Sequence, residues 1–375
     1  MPHSTDDTAV YSARLARVQA ALHAKGFDFL FVGPSADLLY LTGLNRHPTE
    51  RLLLLVVHQE GPAHLIAPAF EVTGLGPLPE RVHVDAWSEQ DDPVALTAHR
   101  MSVPDGGAAC TIAVNDALLA GFLLRLQAAL PRAAFTVAQK VLPPLRVIKD
   151  AAEIAVLREA GARADAAFAE FRQLRFSGQT ERAMADEITA TLRRHGISNE
   201  WGPVVGSGPN GALPHHDAGE RVIEAGDLVV LDFGGRYQGY QADMTRTVAV
   251  GHMPEGEMRA VYEQVRAAQE AAVQAARPGM VAEELDGVAR TALHAGGYSQ
   301  FFTHRLGHGI GLDTHESPYI VSGNRQVLAA GMAFSIEPGL YLPERFGVRI
   351  EDIVVLGPDG AERLNNSPHE LLVVE

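Results

Sequence analysis

The stretch Val229–Val248 reads as two apolar strands joined by a tight turn, and each strand carries one aspartate, Asp232 and Asp243. Folded about the Tyr237–Gln238 midpoint, it sets the two directly opposite each other. Facing residues on paired strands have Cβ atoms about 4.5–5.5 Å apart, where like charges repel. Two carboxylates in that position need positive charge between them, and a pair of metal ions is the natural candidate. This hairpin therefore limits both the fold and its chemistry.

The rest of the composition narrows the class. With 375 residues the chain has room for two medium domains with full cores. A formal charge of −15, from 31 basic and 46 acidic residues, argues against a nucleic-acid partner, which needs a basic face. Cys110, the single cysteine, excludes a disulfide scaffold and reads as a small buried hydrophobe. Met1–Asp7 carries acids where a signal peptide needs bases. The longest apolar run, Leu52–Val57, falls far below the ~20 residues of a membrane span. The expectation is a cytoplasmic protein with no membrane partner.

Helix and strand signals alternate over the first part of the chain. Tyr11, Leu15, Val18 and Leu22 recur at helical spacing up to Gly26. Short apolar runs follow at Phe29–Val32, Leu52–Val57, His64–Ile66, Val82–Val84, Thr111–Val114 and Phe135–Ala138, with a helix expected over Ala117–Leu130. Leu142-Pro143-Pro144 marks a boundary, since consecutive prolines end regular structure. The expected domains are therefore 1–142 and 143–375. The second contains two helical pairs, each followed by strands with carboxylates: Ala151–Leu174 and Thr180–His195, then Glu255–Ala276 and Val281–Ala295.

The C-terminal strands supply further donors. His308 stands among glycines in Gly307-His308-Gly309-Ile310-Gly311, as expected where backbone must approach a ligand closely. Glu337 ends the apolar segment Phe334–Ile336. Glu351 lies inside another, and burying it alone is costly. The period of two sets Arg349 and Glu351 on one strand face and Asp352 on the other. Four carboxylates and one imidazole suit Mn²⁺ or Co²⁺, with Zn²⁺ also admissible. Such a set can hold two ions about 3.5–4 Å apart. No His-Glu-x-x-His helix motif and no Gly-x-Ser-x-Gly elbow is present.

The order Asp232, Asp243-Met244-Thr245-Arg246-Thr247, Gly307-His308-Gly309, Ile336-Glu337-Pro338-Gly339 and Arg349-Ile350-Glu351-Asp352 resembles the pita-bread metallopeptidases. That superfamily includes prolidase, aminopeptidase P, methionine aminopeptidase and creatinase. The resemblance is close over residues ~150–375 and looser for the N-terminal half. It implies an α+β chain: a creatinase-type α/β domain for dimerisation or substrate gating, then a pita-bread catalytic domain. It implies Asp232, Asp243, His308, Glu337 and Glu351 as ligands of two divalent ions, with Glu337 also the general base and a metal-bridged water attacking the scissile carbonyl. His215, His304 and His315 resemble substrate-facing histidines, Arg349 an arginine near the metals, and Tyr240 a substrate-contacting tyrosine. The expected substrate is a small peptide with proline in second position, and the expected assembly a homodimer.

Xaa-Pro dipeptidase and aminopeptidase P share all these residues. The polar loops Gly33–Asp37 and Leu44–Arg51 are where a dipeptide carboxylate could be recognised, with Arg46 the residue chosen. The dipeptidase is the favoured reading. A metal-free pita-bread protein that binds peptides or partners is the alternative of another class.

Overall fold

The computed structural model describes residues 5–101 and 109–375. The start of the acidic Met1–Asp7 segment therefore lies outside the described residues. The chain divides into two compact units between Arg146 and Val147. The border expected at 142/143 moves to the far side of a short helix, Pro143–Arg146. Proline is tolerated in a first helical turn because its missing N–H would be unpaired there anyway. Arg146 ends this turn and pairs with Asp37 of the same unit at 2.6 Å.

The N-terminal unit is a six-stranded mixed sheet with helices. Its strands are β1 (Phe29–Val32), β2 (Leu54–His58), β3 (Ala63–Pro68), β4 (Val82–Trp87), β5 (Thr111–Val114) and β6 (Ala134–Val137), in the order β4-β3-β2-β1-β5-β6. Its helices are α1 (Thr5–Lys25), α2 (Ala36–Thr42), α3 (Pro93–Arg100), α4 (Ala120–Ala129) and α5 (Pro143–Arg146). Phe31, Ile112, Leu54 and Leu126 are buried in its core, where Cys110 is buried and free.

The C-terminal unit repeats one plan. Helices α6 (Ala151–Phe171) and α7 (Glu181–Arg194) precede β7 (Val204–Ser207), β8 (Leu228–Tyr237) and β9 (Tyr240–Val250). Helices α8 (Gly256–Ala275) and α9 (Ala282–Ala295) precede β10 (Gly307–Gly309), β11 (Glu316–Ile320), β12 (Ala333–Ile336), β13 (Gly339–Leu342), β14 (Phe346–Arg349), β15 (Asp352–Leu356), β16 (Ala361–Arg363) and β17 (Leu372–Val374). Asp150 and Glu153 form a reciprocal capping box that starts α6, and Thr180 caps α7. Each helix pair has its own core. Phe168, Phe171 and Ile188 pack on Leu231, Phe233 and Met244. Val261, Tyr262 and Leu285 pack on Phe334, Ile336 and Val348. Among the described residues no helix is long and apolar enough to cross a membrane.

Strand β9 is buried along its whole length. Its even-numbered Ala242, Met244, Val248 and Val250 face the first core, leaving Asp243, Thr245 and Thr247 on the opposite face. Strand β8 alternates likewise and puts Asp232 on the same face as Asp243. The expected register is corrected, however. Tyr237 pairs with Tyr240, so Gly234 stands opposite Asp243 and Asp232 opposite Thr245. The turn is centred on Gln238-Gly239, whose φ values of 48° and 92° give the left-handed pair that a two-residue hairpin requires. The aspartates are diagonal rather than facing.

Gly239→Ala should therefore cost about 1 kcal/mol, because it forces a Cβ into that conformation. Gln238→Asn should stabilise by a few tenths of a kcal/mol, since asparagine tolerates it better. Urea unfolding of both variants checks the pair.

Candidate active site

Four separate segments meet at one cavity of about 320 Å³. It is lined by Asp232 and Asp243 from the hairpin, His308 from β10, Glu337 after β12, and Arg349 and Glu351 around the end of β14. Pro338 follows Glu337 and separates β12 from β13, consistent with its missing N–H. The apolar segment expected to carry Glu351 within it is interrupted as a strand at Ile350-Glu351. There Glu351 N–H donates to the Thr245 carbonyl at 3.1 Å, tying Glu351 to the hairpin face. Asp352 turns away, to Arg246 at 2.7 Å and His369 at 2.6 Å.

Donor atoms of Asp243, His308 and Glu351 lie within 4.8 Å of one another, and these residues are only 5%, 3% and 2% exposed. His308 Nε2 is 3.2 Å from Glu337 Oε1 and 3.8 Å from Asp243 Oδ2. Its Nδ1 donates to the Gly309 carbonyl at 3.1 Å, which turns Nε2 toward the carboxylates as a metal-ligating imidazole requires. Thr245 Oγ1 donates to Glu351 Oε2 at 2.7 Å, and Ser335 Oγ to Glu337 Oε1 at 2.9 Å.

Burial, then the charges of Asp232 and Glu337, push the Asp243 carboxyl well above the usual carboxylate range. Burial, then the Asp243 charge, does the same to Glu351. Asp232 is also raised by burial, with Arg349 opposing the shift. Glu337 moves the other way: burial raises it, but the hydrogen bond and charge of His308 outweigh that and bring it to about 2. Asp232 Oδ1 is buried and accepts no hydrogen bond. This unpartnered oxygen, among carboxyls whose ionisation is suppressed by their neighbours, fits divalent cations in a hard-oxygen site.

Arg349 has no spare donor nitrogen. Its guanidinium donates to Asp232 Oδ2 at 2.7 Å, Tyr341 Oη at 2.9 Å, Pro214 O at 3.1 Å and Thr245 Oγ1 at 3.1 Å. The Tyr341 hydroxyl, held near pKa 12 chiefly by burial, lies 2.8 Å from His304 Nε2. His304 Nδ1 donates to the Arg305 carbonyl at 2.7 Å, so Nε2 accepts from Tyr341 and neither ring nitrogen is free. Burial lowers the His304 pKa, in keeping with this neutral form.

His215 and His315 are exposed and line the open side of the same cavity. His315 packs edge-on to His308, with ring centroids 4.1 Å apart. Desolvation, then His308 and Arg305, lower its pKa to about 4. The loop bearing His215 is organised by Glu181, which is fully buried at the start of α7. Glu181 accepts from Ser207 N–H at 2.9 Å, Ser207 Oγ at 2.6 Å, Asn210 Nδ2 at 3.0 Å and His216 Nε2 at 2.7 Å. His216 thus serves the loop from behind. Burial raises the Glu181 carboxyl, but this ring of donors outweighs it and leaves the pKa lowered.

The glycines around His308 have a different reason from the one expected. A Cβ on Gly307 would stand 1.9 Å from the Ser335 carbonyl oxygen, and one on Gly309 would stand 2.2 Å from that of Ser317. They let neighbouring strands close on β10 rather than a ligand approach it. Similarly, a Cβ on Gly347 would lie 1.8 Å from Gly211 O, where β14 passes against the His215 loop.

Two expected residues have other hydrogen-bond partners within their own units. Tyr240 is buried and donates to Glu153 Oε1 at 2.8 Å, serving the start of α6 rather than lining the cavity. Arg46 belongs to the N-terminal unit, where its guanidinium donates to the Gly74 carbonyl at 2.6 Å and the Asn45 carbonyl at 3.2 Å. Tyr341, Thr245, Glu181 and Arg305 were missed. The only available signal for Thr245 and Arg305 was adjacency to Asp243 and His304 in the motifs; Tyr341 and Glu181 had none.

This arrangement, a duplicated helix-and-sheet unit closing on a buried carboxylate and imidazole cluster, defines a metal-dependent hydrolase. The sequence specifies which kind: residues 155–358 match metallopeptidase family M24 and residues 14–148 match the Creatinase/Prolidase N-terminal domain, so the chain belongs to that family. It is 42% identical over 372 residues to the probable dipeptidase PepE of Mycobacterium tuberculosis, covering 98% of each chain. It is 36% identical over 371 residues to the Xaa-Pro dipeptidase of Lactobacillus delbrueckii subsp. lactis, covering 96% of this chain and 98% of the relative. The crystal structure of dipeptidase PepE from Mycobacterium ulcerans superposes with a TM-score of 0.91 at 43% identity, covering 98% of this chain and 99% of that one.

Gly307→Ala should cost several kcal/mol and displace His308, read as lost metal affinity together with a lower unfolding midpoint. Glu181→Gln replaces an acceptor with an amide N–H among donors and should cost about 2–3 kcal/mol. A depressed carboxyl contributes stability that is fully present above its unfolded pKa of about 4.3 and is lost as pH falls through the lower folded value. Wild-type stability, read by urea denaturation, should fall across that acid window, and the Glu181→Gln profile should be flatter there.

Proposed function

We propose that the chain hydrolyses Xaa-Pro dipeptides with two divalent ions held by Asp232, Asp243, His308, Glu337 and Glu351. The observation that carries this reading is the unpartnered Asp232 oxygen within a cluster of four carboxylates and one imidazole. The donor set favours Mn²⁺ or Co²⁺ over Zn²⁺. The substrate class is supported by the relatives named dipeptidase and Xaa-Pro dipeptidase. When bound, the ions polarise a carbonyl and make water nucleophilic at neutral pH.

The chain's own groups do the rest. Glu337, with Ser335 Oγ fixing one oxygen, accepts the proton of the attacking water and passes it on. His215 and His315 stand at the open side, where an N–H can stabilise an oxyanion. They are also placed to deliver the proton that the proline nitrogen needs on leaving, since that nitrogen carries no hydrogen in the peptide bond. Arg349 orients Asp232 through the 2.7 Å ion pair, and Tyr341 locks the His304 ring as a wall of the cavity.

The testing assay compares Leu-Pro with Leu-Pro-Gly in Mn²⁺, Co²⁺ and Zn²⁺ in turn. Preferential cleavage of Leu-Pro is expected; efficient cleavage of Leu-Pro-Gly would replace the dipeptidase with an aminopeptidase. Asp243→Ala should lose bound metal and activity together, measured by elemental analysis and turnover. Near-normal turnover with metal retained would remove Asp243 from the ligand set.

A further inference from the structure

Arg305 is the cation at the cavity that the chemistry above leaves unused. It lines the same space as the metal-ligating side chains. Among the described residues its guanidinium makes no hydrogen bond or ion pair; its contact is with the Tyr319 ring, 4.6 Å from the centroid. The other cationic side chain of the cavity wall, Arg349, is fully engaged. Tyr319 pairs with His308 across β10 and β11, so it marks the strand position from which His308 reaches the carboxylates.

The backbone beneath this cation is fixed. The Arg305 carbonyl accepts from His304 Nδ1. Arg290 on α9 donates to the His304 carbonyl at 2.7 Å, and Asp286 accepts from Leu306 N–H at 3.1 Å. A half-buried guanidinium on a pinned backbone, held over an aromatic face, is preorganised for an anion. A dipeptide offers one anion that a longer peptide lacks at this position: the carboxylate of its second residue. We infer that Arg305 binds the C-terminal carboxylate of the dipeptide and is the residue that selects dipeptides over longer chains. This rests on the proposed dipeptidase reading and names its specificity determinant. Arg46, expected from the sequence for that task, is engaged with backbone carbonyls.

The test measures kcat/KM for Leu-Pro and for Leu-Pro-amide, which lacks the charge, with Mn²⁺-loaded wild type, Arg305→Met, Arg305→Lys and Arg46→Met. Bound metal is quantified for each. The wild type should prefer the free acid. Arg305→Met should shrink the acid-to-amide ratio about 10- to 100-fold, mainly through KM, as loss of a charged hydrogen bond predicts. Arg305→Lys should retain most of the ratio. Arg305→Gln replaces the Met variant if that one does not fold. An unchanged ratio in the charge-removing variant overturns the inference, as does a collapse of the ratio in Arg46→Met alone. Wild type that cleaves neither substrate overturns the dipeptidase reading itself, a result distinct from cleavage without discrimination.

Discussion

The site rests on an excess of buried negative charge. Asp232, Asp243, Glu337 and Glu351 line one cavity whose walls give them a single fully engaged arginine, Arg349. Such a cluster is unstable on its own account: Asp243 and Glu351 resist ionisation, and Asp232 Oδ1 has no donor. Divalent cations relieve both conditions together. The surrounding structure reads as the means of keeping these carboxylates in place despite their repulsion. Each helix pair packs one side of the strands with apolar side chains, while the opposite side presents the oxygen donors.

Direction matters as much as position in the hydrogen-bond chain beside the carboxylates. Arg349 donates to Tyr341, whose hydroxyl donates to His304, whose other nitrogen donates to a carbonyl. Every proton in that chain is assigned by the acceptor at its end, so His304 is a neutral ring with no lone pair to offer. The two histidines that keep open surface are His215 and His315. The division between walls and working groups thus follows from where backbone carbonyls happen to end each chain.

The carboxylate cluster was legible because its residues are chemically conspicuous in apolar strands: Asp232, Asp243, Glu337 and Glu351 are charges in segments that otherwise read as core. The helical pairs were legible at nearly their observed bounds, as the expected Thr180–His195 against the observed Glu181–Arg194 shows. The hairpin register was not, because Gln238 adopts a positive φ that a Gln-Gly pair advertises weakly; placing the turn one residue early in its centre moved the pairing by two. Tyr240 was named only because it occupies the position of a family tyrosine, and the partner of its hydroxyl, Glu153, is far away in sequence. Arg46 was chosen for its charge in a polar loop, and a loop's carbonyls are invisible to composition. Tyr341 and Glu181 act through contacts between distant segments, which no local pattern encodes.

The close passage of Gly347 against Gly211 has a mechanical consequence. With no side chain between them, the backbone of the loop bearing His215 and the strand leading to Arg349 and Glu351 are in direct contact, and Arg349 adds a bond to Pro214 O in that loop. The two cannot slide past one another as a hinge would require. The His215 loop and the carboxylate face are therefore held against each other by backbone contact and by this hydrogen bond. A side chain at residue 347 would act as a wedge, separating the two faces without touching any group that takes part in the chemistry.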